Sequence, residues 1–279
     1  MRIRNLKKLP KKDLIVFDLD GTLVETKSIM DKQMSRLVKQ LLFRKQVAVI
    51  GGGKYTLFQS LFLRQLKAPK KLFKNLFLFP TTSTSFYRYK NGWKKIYALE
   101  LSKKEREKIK KAFKDVFAEA GYVAPKKTYG TVIEDRRTQI TFSALGQEVV
   151  KVLGKKGVDL KKQWLIENKP MKMKLTRLLG KRLPSMEVRA AGFTSIDVTR
   201  RGIDKAYGMK QIKKHLKVPI SRMLFVGDAI FPGGNDYAVV RTGVDYFSVS
   251  GPEETKKIIR KLIQKIKKEA SVVVVSQDA

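Results

Sequence analysis

The chain has no cysteine among its 279 residues. That excludes a disulfide framework and any thiolate metal site, and it fits a reducing, cytoplasmic location. Long apolar runs are also missing. None approaches the roughly 18 residues of a membrane span. The apolar tail segment Ser271–Val275 is far too short and reads as a late edge strand or a sticky tail. The basic N-terminus is not followed by an apolar stretch, so no signal peptide is expected. Acidic residues are scarce: 25 Asp and Glu stand against 61 Lys and Arg, a formal charge of +36. Histidine occurs once, at His215, far in sequence from every motif described below, and reads as a surface residue.

The positive charge comes without zinc-finger spacing and without an RNA-binding aromatic signature. It is spread over an N-terminal arm (residues 1–12), a helix-patterned stretch at 102–120 and another at 252–269. This distribution reads as solvated helix faces rather than a nucleic-acid surface. A field of this sign still attracts phosphorylated small molecules.

What is present is a core-forming chain, 43% hydrophobic. Short apolar runs at 13–18, 46–50 and 76–79 alternate with helical stripes at 29–43 and 55–66. This βαβαβ rhythm predicts a doubly wound, mainly parallel sheet. Asn91-Gly92 inside FYRYKNGWKKIY predicts a hairpin. Ser102 and Glu105 form a capping box that opens a helix. Strand-like runs at 131–145, 186–191 and 194–199, with a basic helical stretch at about 159–179, suggest an inserted α+β module. The α/β rhythm returns with a helix at 204–216, strands at 222–227 and 244–250, and a last helix beginning at Pro252. The expected organisation is therefore a basic arm (1–12), a core (13–94), an inserted cap (95–201) and the rest of the core (202–279).

The most informative segment is DLIVFDLDGT at 13–22. Asp18 closes an apolar strand, where open α/β sheets place their ligands. Asp20 follows two residues on, and Gly21 permits the turn that lets both acids share one site. A second apolar strand ends at Asp228, within MLFVGDAIFPGGND. Two parallel strands ending in carboxylates make an oxygen-rich pocket suited to Mg²⁺. The turn after it brings Asn235 and Asp236 near as metal ligands or supporting groups. Lys205, at a helix start, is positioned to neutralise a phosphate oxygen and a carboxylate nucleophile. Thr22 is expected to orient Asp20 within the loop. Gly51, Gly52 and Gly53, after the second strand, offer backbone N–H groups to a phosphate.

FDLDGTL, GFTSIDV, GIDK, FVGDAIFPGGND and VSGPEETKKII together resemble the haloacid dehalogenase superfamily, in its phosphomannomutase-like branch with α/β caps of the IIB type. The resemblance covers most of the core and part of the cap. It implies Mg²⁺-dependent chemistry on a phosphosugar through an aspartyl phosphate. It implies Asp18 as nucleophile, Asp20 as general acid/base, and Lys205 as the phosphate lysine. Asp18, Asp20 (through its carbonyl) and Asp228 become the metal ligands, and Gly21, Thr22, Gly52 and Gly53 the phosphate loop. Ser195 and Asp197 are implied as contacts to substrate hydroxyls, Arg136 as the cap grip on a distal phosphate, and Lys27 as its core counterpart. A homodimer through the cap is expected on the same basis.

The chain departs from that branch in three ways. Gln147 stands where a further cap arginine is expected, the next family arginine has no clear counterpart, and the loop after the second strand lacks Ser or Thr. Fewer cap cations favour a phosphohydrolase. The alternatives are a phosphomannomutase using the same first step, and a catalytically weak fold that binds nucleic acid through its basic surface.

Overall fold

The computed structural model describes residues 12–275. The expected arm at 1–12 lies outside them except for Lys12. That residue is buried, and its ammonium donates to Ser221 O at 2.6 Å and Asp245 Oδ2 at 2.5 Å, so here the chain is already fastened to the sheet.

Five strands run parallel: β1 (Leu14–Asp18), β2 (Gln46–Ile50), β3 (Leu76–Phe79), β10 (Met223–Gly227) and β11 (Asp245–Ser248). The antiparallel hairpin β4 (Ser85–Tyr89) and β5 (Trp93–Ala98) extends the sheet at one edge, giving the order β11-β10-β1-β2-β3-β4-β5. Asn91 and Gly92 turn this hairpin with φ of 51° and 138°. β5 runs to Ala98, so a boundary at 94/95 falls inside a strand; the chain leaves this sheet only after β5.

Strand alternation explains why β1 is apolar throughout. Ile15 and Phe17 face one cluster, with helix α1 (Lys32–Leu42). Leu14 and Val16 face the other, with Met209 and Ile212 of a helix on the opposite side. A parallel sheet covered on both faces needs such continuous runs. α1 starts at Asp31, whose carboxylate accepts from Gln33 and Met34 N–H. The helical stretch at 55–66 is π-helical in its middle, Phe58–Leu63, and buries Phe58 and Phe62 against the α1 side.

A second, antiparallel sheet has the order β6-β7-β9-β8, formed by β6 (Ile133–Asp135), β7 (Ile140–Ser143), β8 (Met186–Ala191) and β9 (Ser195–Arg200). Helices α2 (Lys103–Ala120) and α3 (Lys155–Arg182) pack on it. The Ser102/Glu105 capping box opens α2 as expected. Phe113, Phe142, Trp164, Leu175 and Leu179 form the cap's own core. The chain returns through α4 (Lys205–Leu216), and α5 (Pro252–Val275) packs beside α1.

Two further expectations change. Ser271–Val275 belongs to α5 and is not an edge strand. His215 is half-buried rather than a surface group; its ring lies 5.3 Å from Phe86 and 5.0 Å from Tyr97. The hairpin and α4 meet there, a contact that sequence distance hides. Among the described residues no helix is long and apolar enough to cross a membrane.

Candidate active site

Pairing of β1 with β10 brings the carboxyl ends of both strands side by side. Asp18 closes β1, and Asp228 follows β10 directly. Asp236 joins them from the next turn. It is fully buried, and its Oδ2 accepts the Ala229 N–H at 3.1 Å. The three carboxylates each offer an oxygen within 4.8 Å of the others. Lys205, the first residue of α4, reaches into this group. Its Nζ donates to Asp18 Oδ1 at 2.6 Å and also to Asp236. Asp204 holds the helix start by accepting the Tyr207 N–H.

Three carboxylates around one ammonium set the local electrostatics. Burial is the largest influence on Asp18 and pushes its carboxyl well up; Lys205 opposes this, while Asp236 and Asp228 add to it. Burial works against the Lys205 charge, but Asp18 and Asp236 outweigh it and hold the ammonium above its ordinary value. Asp228 is pushed up to about 6, by burial first and Asp236 second. An oxygen-only cluster with surplus negative charge has the donor chemistry a hard divalent cation requires.

Gly21 is obligatory here. Its φ is +81°, and a Cβ would lie 2.5 Å from Asp228 Oδ2. Thr22 differs from expectation: its hydroxyl donates to Asp228 Oδ1 at 3.3 Å instead of orienting Asp20. Asp20 is oriented by the Lys27 backbone N–H, 2.7 Å from its Oδ1. The turn that follows Asp20 carries Lys27 in the left-handed region, φ 54°.

Between the two sheets lies a cavity of about 430 Å³. Its lining includes Asp18, Asp20, Lys27, Gly52, Gly53, Arg136, Ser195, Asp197, Lys205, Asp228 and Asn235, so most of the predicted site residues meet there. Asp236 stands behind it through Lys205. Arg136 crosses from cap to core: it donates to Gly52 O at 2.7 Å, Glu134 Oε2 at 2.7 Å and Gln147 Oε1 at 3.1 Å. The Gly52 carbonyl also accepts from Gln139 at 3.3 Å. The glycine loop is thus gripped by the cap, beyond offering N–H groups.

Gln147 occupies the position of the missing arginine, and its Oε1 accepts from both Lys27 Nζ (2.9 Å) and Arg136. Its Nε2 is buried without a partner. Asp197 accepts from Thr141 at 2.7 Å, and burial pushes its carboxyl up against the pull of Arg136.

Sequence reasoning missed two lysines. Lys161 is 1% exposed and lines the cavity from α3. Burial, then Lys27, pushes it down to about 7. Lys172, 4% exposed, donates to Ala191 O, Gly192 O and Phe193 O, closing the β8–β9 turn just before Ser195. Burial pushes it down to about 8. Both share the buried helical stripe of Val158, Trp164, Leu175 and Leu179. A lysine in phase with an apolar stripe was the available signal.

A parallel sheet with acidic strand ends, a buried lysine among them and an α+β cap across the cavity define the haloacid dehalogenase class of fold. The family model for eukaryotic phosphomannomutase matches residues 34–265, and the chain belongs to that family. A phosphomannomutase from Encephalitozoon cuniculi is 26% identical over 92% of this chain and 95% of its own length. Phosphomannomutase 1 of Homo sapiens is 24% identical over 89% and 91%. Among solved structures, Plasmodium falciparum IMP-nucleotidase superposes with a TM-score of 0.66 at 18% identity, covering 90% of this chain and 62% of that one. That likeness is one of fold.

Proposed function

We propose that the chain is a phosphosugar enzyme of the phosphomannomutase kind, moving a phosphoryl group between two positions of a hexose through an aspartyl phosphate on Asp18. One observation carries this: the cavity that holds Asp18, Asp228 and Lys205 is lined by three further basic side chains, Lys27, Arg136 and Lys161. A hydrolase grips one phosphate. A mutase must hold a phosphate at both ends of a bisphosphate, so it needs cations beyond the one bonded to its nucleophile. The case for hydrolysis rested on a cap short of cations. Lys161 supplies one from α3, and Gln147 gathers Lys27 and Arg136 onto one oxygen. The phosphomannomutase relatives favour the same reading.

In this reading Asp18 attacks phosphorus, and Lys205 offsets charge on the phosphoryl oxygens and the nucleophile. Asp20 protonates the departing sugar oxygen and later takes the proton of the incoming hydroxyl. Its orientation comes from the Lys27 N–H. Ser195 and Asp197 bind sugar hydroxyls, with Thr141 fixing the Asp197 carboxylate. Asp18, Asp228 and the Asp20 carbonyl would hold Mg²⁺, backed by Asp236 and Asn235. When bound, the ion supplies neutralisation of phosphate charge.

The test is mannose 1-phosphate with Mg²⁺ and a trace of sugar bisphosphate, for wild type and Asp18→Asn. Isomerisation to the 6-phosphate that exceeds phosphate release, and is lost in the variant, is the expected result. Release exceeding isomerisation returns the phosphohydrolase reading. Neither activity, with salt-sensitive retention of nucleic acid, turns the function to the basic surface.

A further inference from the structure

β3 ends in a turn of unusual backbone. Thr81, Thr82 and Ser83 have φ of 50°, 55° and 65°, three consecutive non-glycine residues in the left-handed region. Two are β-branched, for which this region is a genuine outlier. Such conformations persist only where surrounding contacts force them, and they concentrate at functional sites.

The contacts that force this one are specific. Thr81 N–H donates to Gly53 O and Thr82 N–H to Gly51 O, both at 2.9 Å, so the turn is bolted to the glycine loop. Thr81 and Ser83 face inward, at 3% and 0% exposure. The Thr81 hydroxyl shares a buried network with Thr84 and Thr138, and Ser83 packs against Gly208 of α4. Thr82 alone of the three lines the cavity, with Asp18, Gly52, Gly53 and Lys205. Its hydroxyl makes one long contact within the protein, 3.5 Å to Gln139 Oε1. The glycine loop itself brings no side-chain donor.

We propose that Thr82 is a phosphate-binding residue: its hydroxyl donates to a non-bridging oxygen of the phosphoryl group held between Asp18 and the Gly52–Gly53 loop. The turn bonded to the glycine loop carries a hydroxyl that lines the same cavity, and the three glycines carry none. This rests on the reading of the cavity as a phosphoryl-transfer site.

Three variants test it, with Mg²⁺ present. The readouts are p-nitrophenyl phosphate turnover, inhibition by orthovanadate, calorimetric binding of inorganic phosphate, and the melting temperature. Thr82→Val, which keeps the shape without the hydroxyl, is expected to lose roughly 100-fold in kcat/KM, as for removal of one stabilising donor, and to weaken vanadate and phosphate binding about tenfold. Thr82→Ser is expected to stay within about threefold of wild type. Thr82→Gly relaxes the backbone and removes the hydroxyl, so it is expected to melt higher while being as slow as Thr82→Val. A higher melting temperature with wild-type kinetics would mean the turn is only structural and would overturn the proposal. So would Thr82→Ser as slow as Thr82→Val, or no phosphate binding by wild type. Asp18→Asn, assayed alongside, separates the two levels. If it turns over p-nitrophenyl phosphate like wild type, the phosphoryl-transfer reading fails, whereas unchanged phosphate binding in Thr82→Val defeats the Thr82 assignment alone. If Thr82→Val does not fold, Thr82→Gly carries the same comparison.

Discussion

Lys205 Nζ lies 2.6 Å from Asp18 Oδ1, and both side chains are almost sealed from water, at 3% and 5% exposure. This pair couples catalysis to stability. Lys205→Met is expected to abolish detectable turnover, since Lys205 is the cation bonded to Asp18 and Asp236. It is also expected to destabilise by about 3–5 kcal/mol, the usual cost of breaking a buried ion pair. A divalent ion binding the same carboxylates offsets part of that loss. Melting curves with and without Mg²⁺ should therefore diverge more for the variant than for wild type. An identical Mg²⁺ response would argue that the ion does not bind these carboxylates.

Gly21→Ala tests the turn that follows Asp20. The added Cβ would sit 2.5 Å from Asp228 Oδ2, on a backbone with φ of +81°. Asp228 must move or the turn must open. Mg²⁺ affinity, measured by calorimetry, should fall at least about tenfold, and kcat/KM by roughly 100-fold. Wild-type affinity in a folded variant would show that Asp228 is not a ligand.

Arg136→Met removes a guanidinium that touches Gly52 O, Glu134 and Gln147. It makes no contact with the carboxylate cluster. The expected effect is therefore on KM for a phosphosugar, on the order of 10–100-fold, with a smaller change in kcat. Arg136→Lys should recover little, because a point charge cannot make all three contacts. A change confined to kcat would place Arg136 in the chemical step instead.

Lys161 makes stability depend on pH. Burial and then Lys27 hold its folded value at about 7, while an unfolded lysine titrates near 10.4. Between these values the unfolded chain binds the proton that the folded chain has released, so stability rises with pH there. Below about 7 the folded chain carries the full cost of a buried ammonium. Lys161→Met removes this dependence. It should be more stable than wild type at about pH 6, on the order of 5 kcal/mol, with the gain fading as pH approaches about 10.5. Urea unfolding at about pH 6, 8 and 10 measures it. A pH-independent difference would sink the argument. The same variant should bind sugar bisphosphates more weakly, so stability and affinity move in opposite directions.

What the sequence determined by itself was whatever local pattern dictates. Apolar runs made both faces of β1 and β10 buried, and each run leads into an acid, Asp18 or Asp228. Asn91-Gly92 turned its hairpin, and Ser102 with Glu105 capped α2. Each depends on residues within a few positions of one another. Gly21 was legible for the same reason, because the turn directly after Asp20 needs a left-handed residue.

Tertiary structure alone decided which charges meet. With 61 basic residues, lysine identity carries little information; Lys161 and Lys172 became special because one face of α3 packs over the cavity. Arg136 reaches Gly52 across 84 residues of chain, and Lys205 reaches Asp18 across 187 and Asp236 across 31. Thr82 gained its place from a backbone conformation its own residue type disfavours. Desolvation and opposite charge act through space, and their magnitude depends on burial that no window of sequence contains. Gln147 was legible as a departure in the sequence, whereas Lys161 lines the cavity from a helix whose orientation only packing sets.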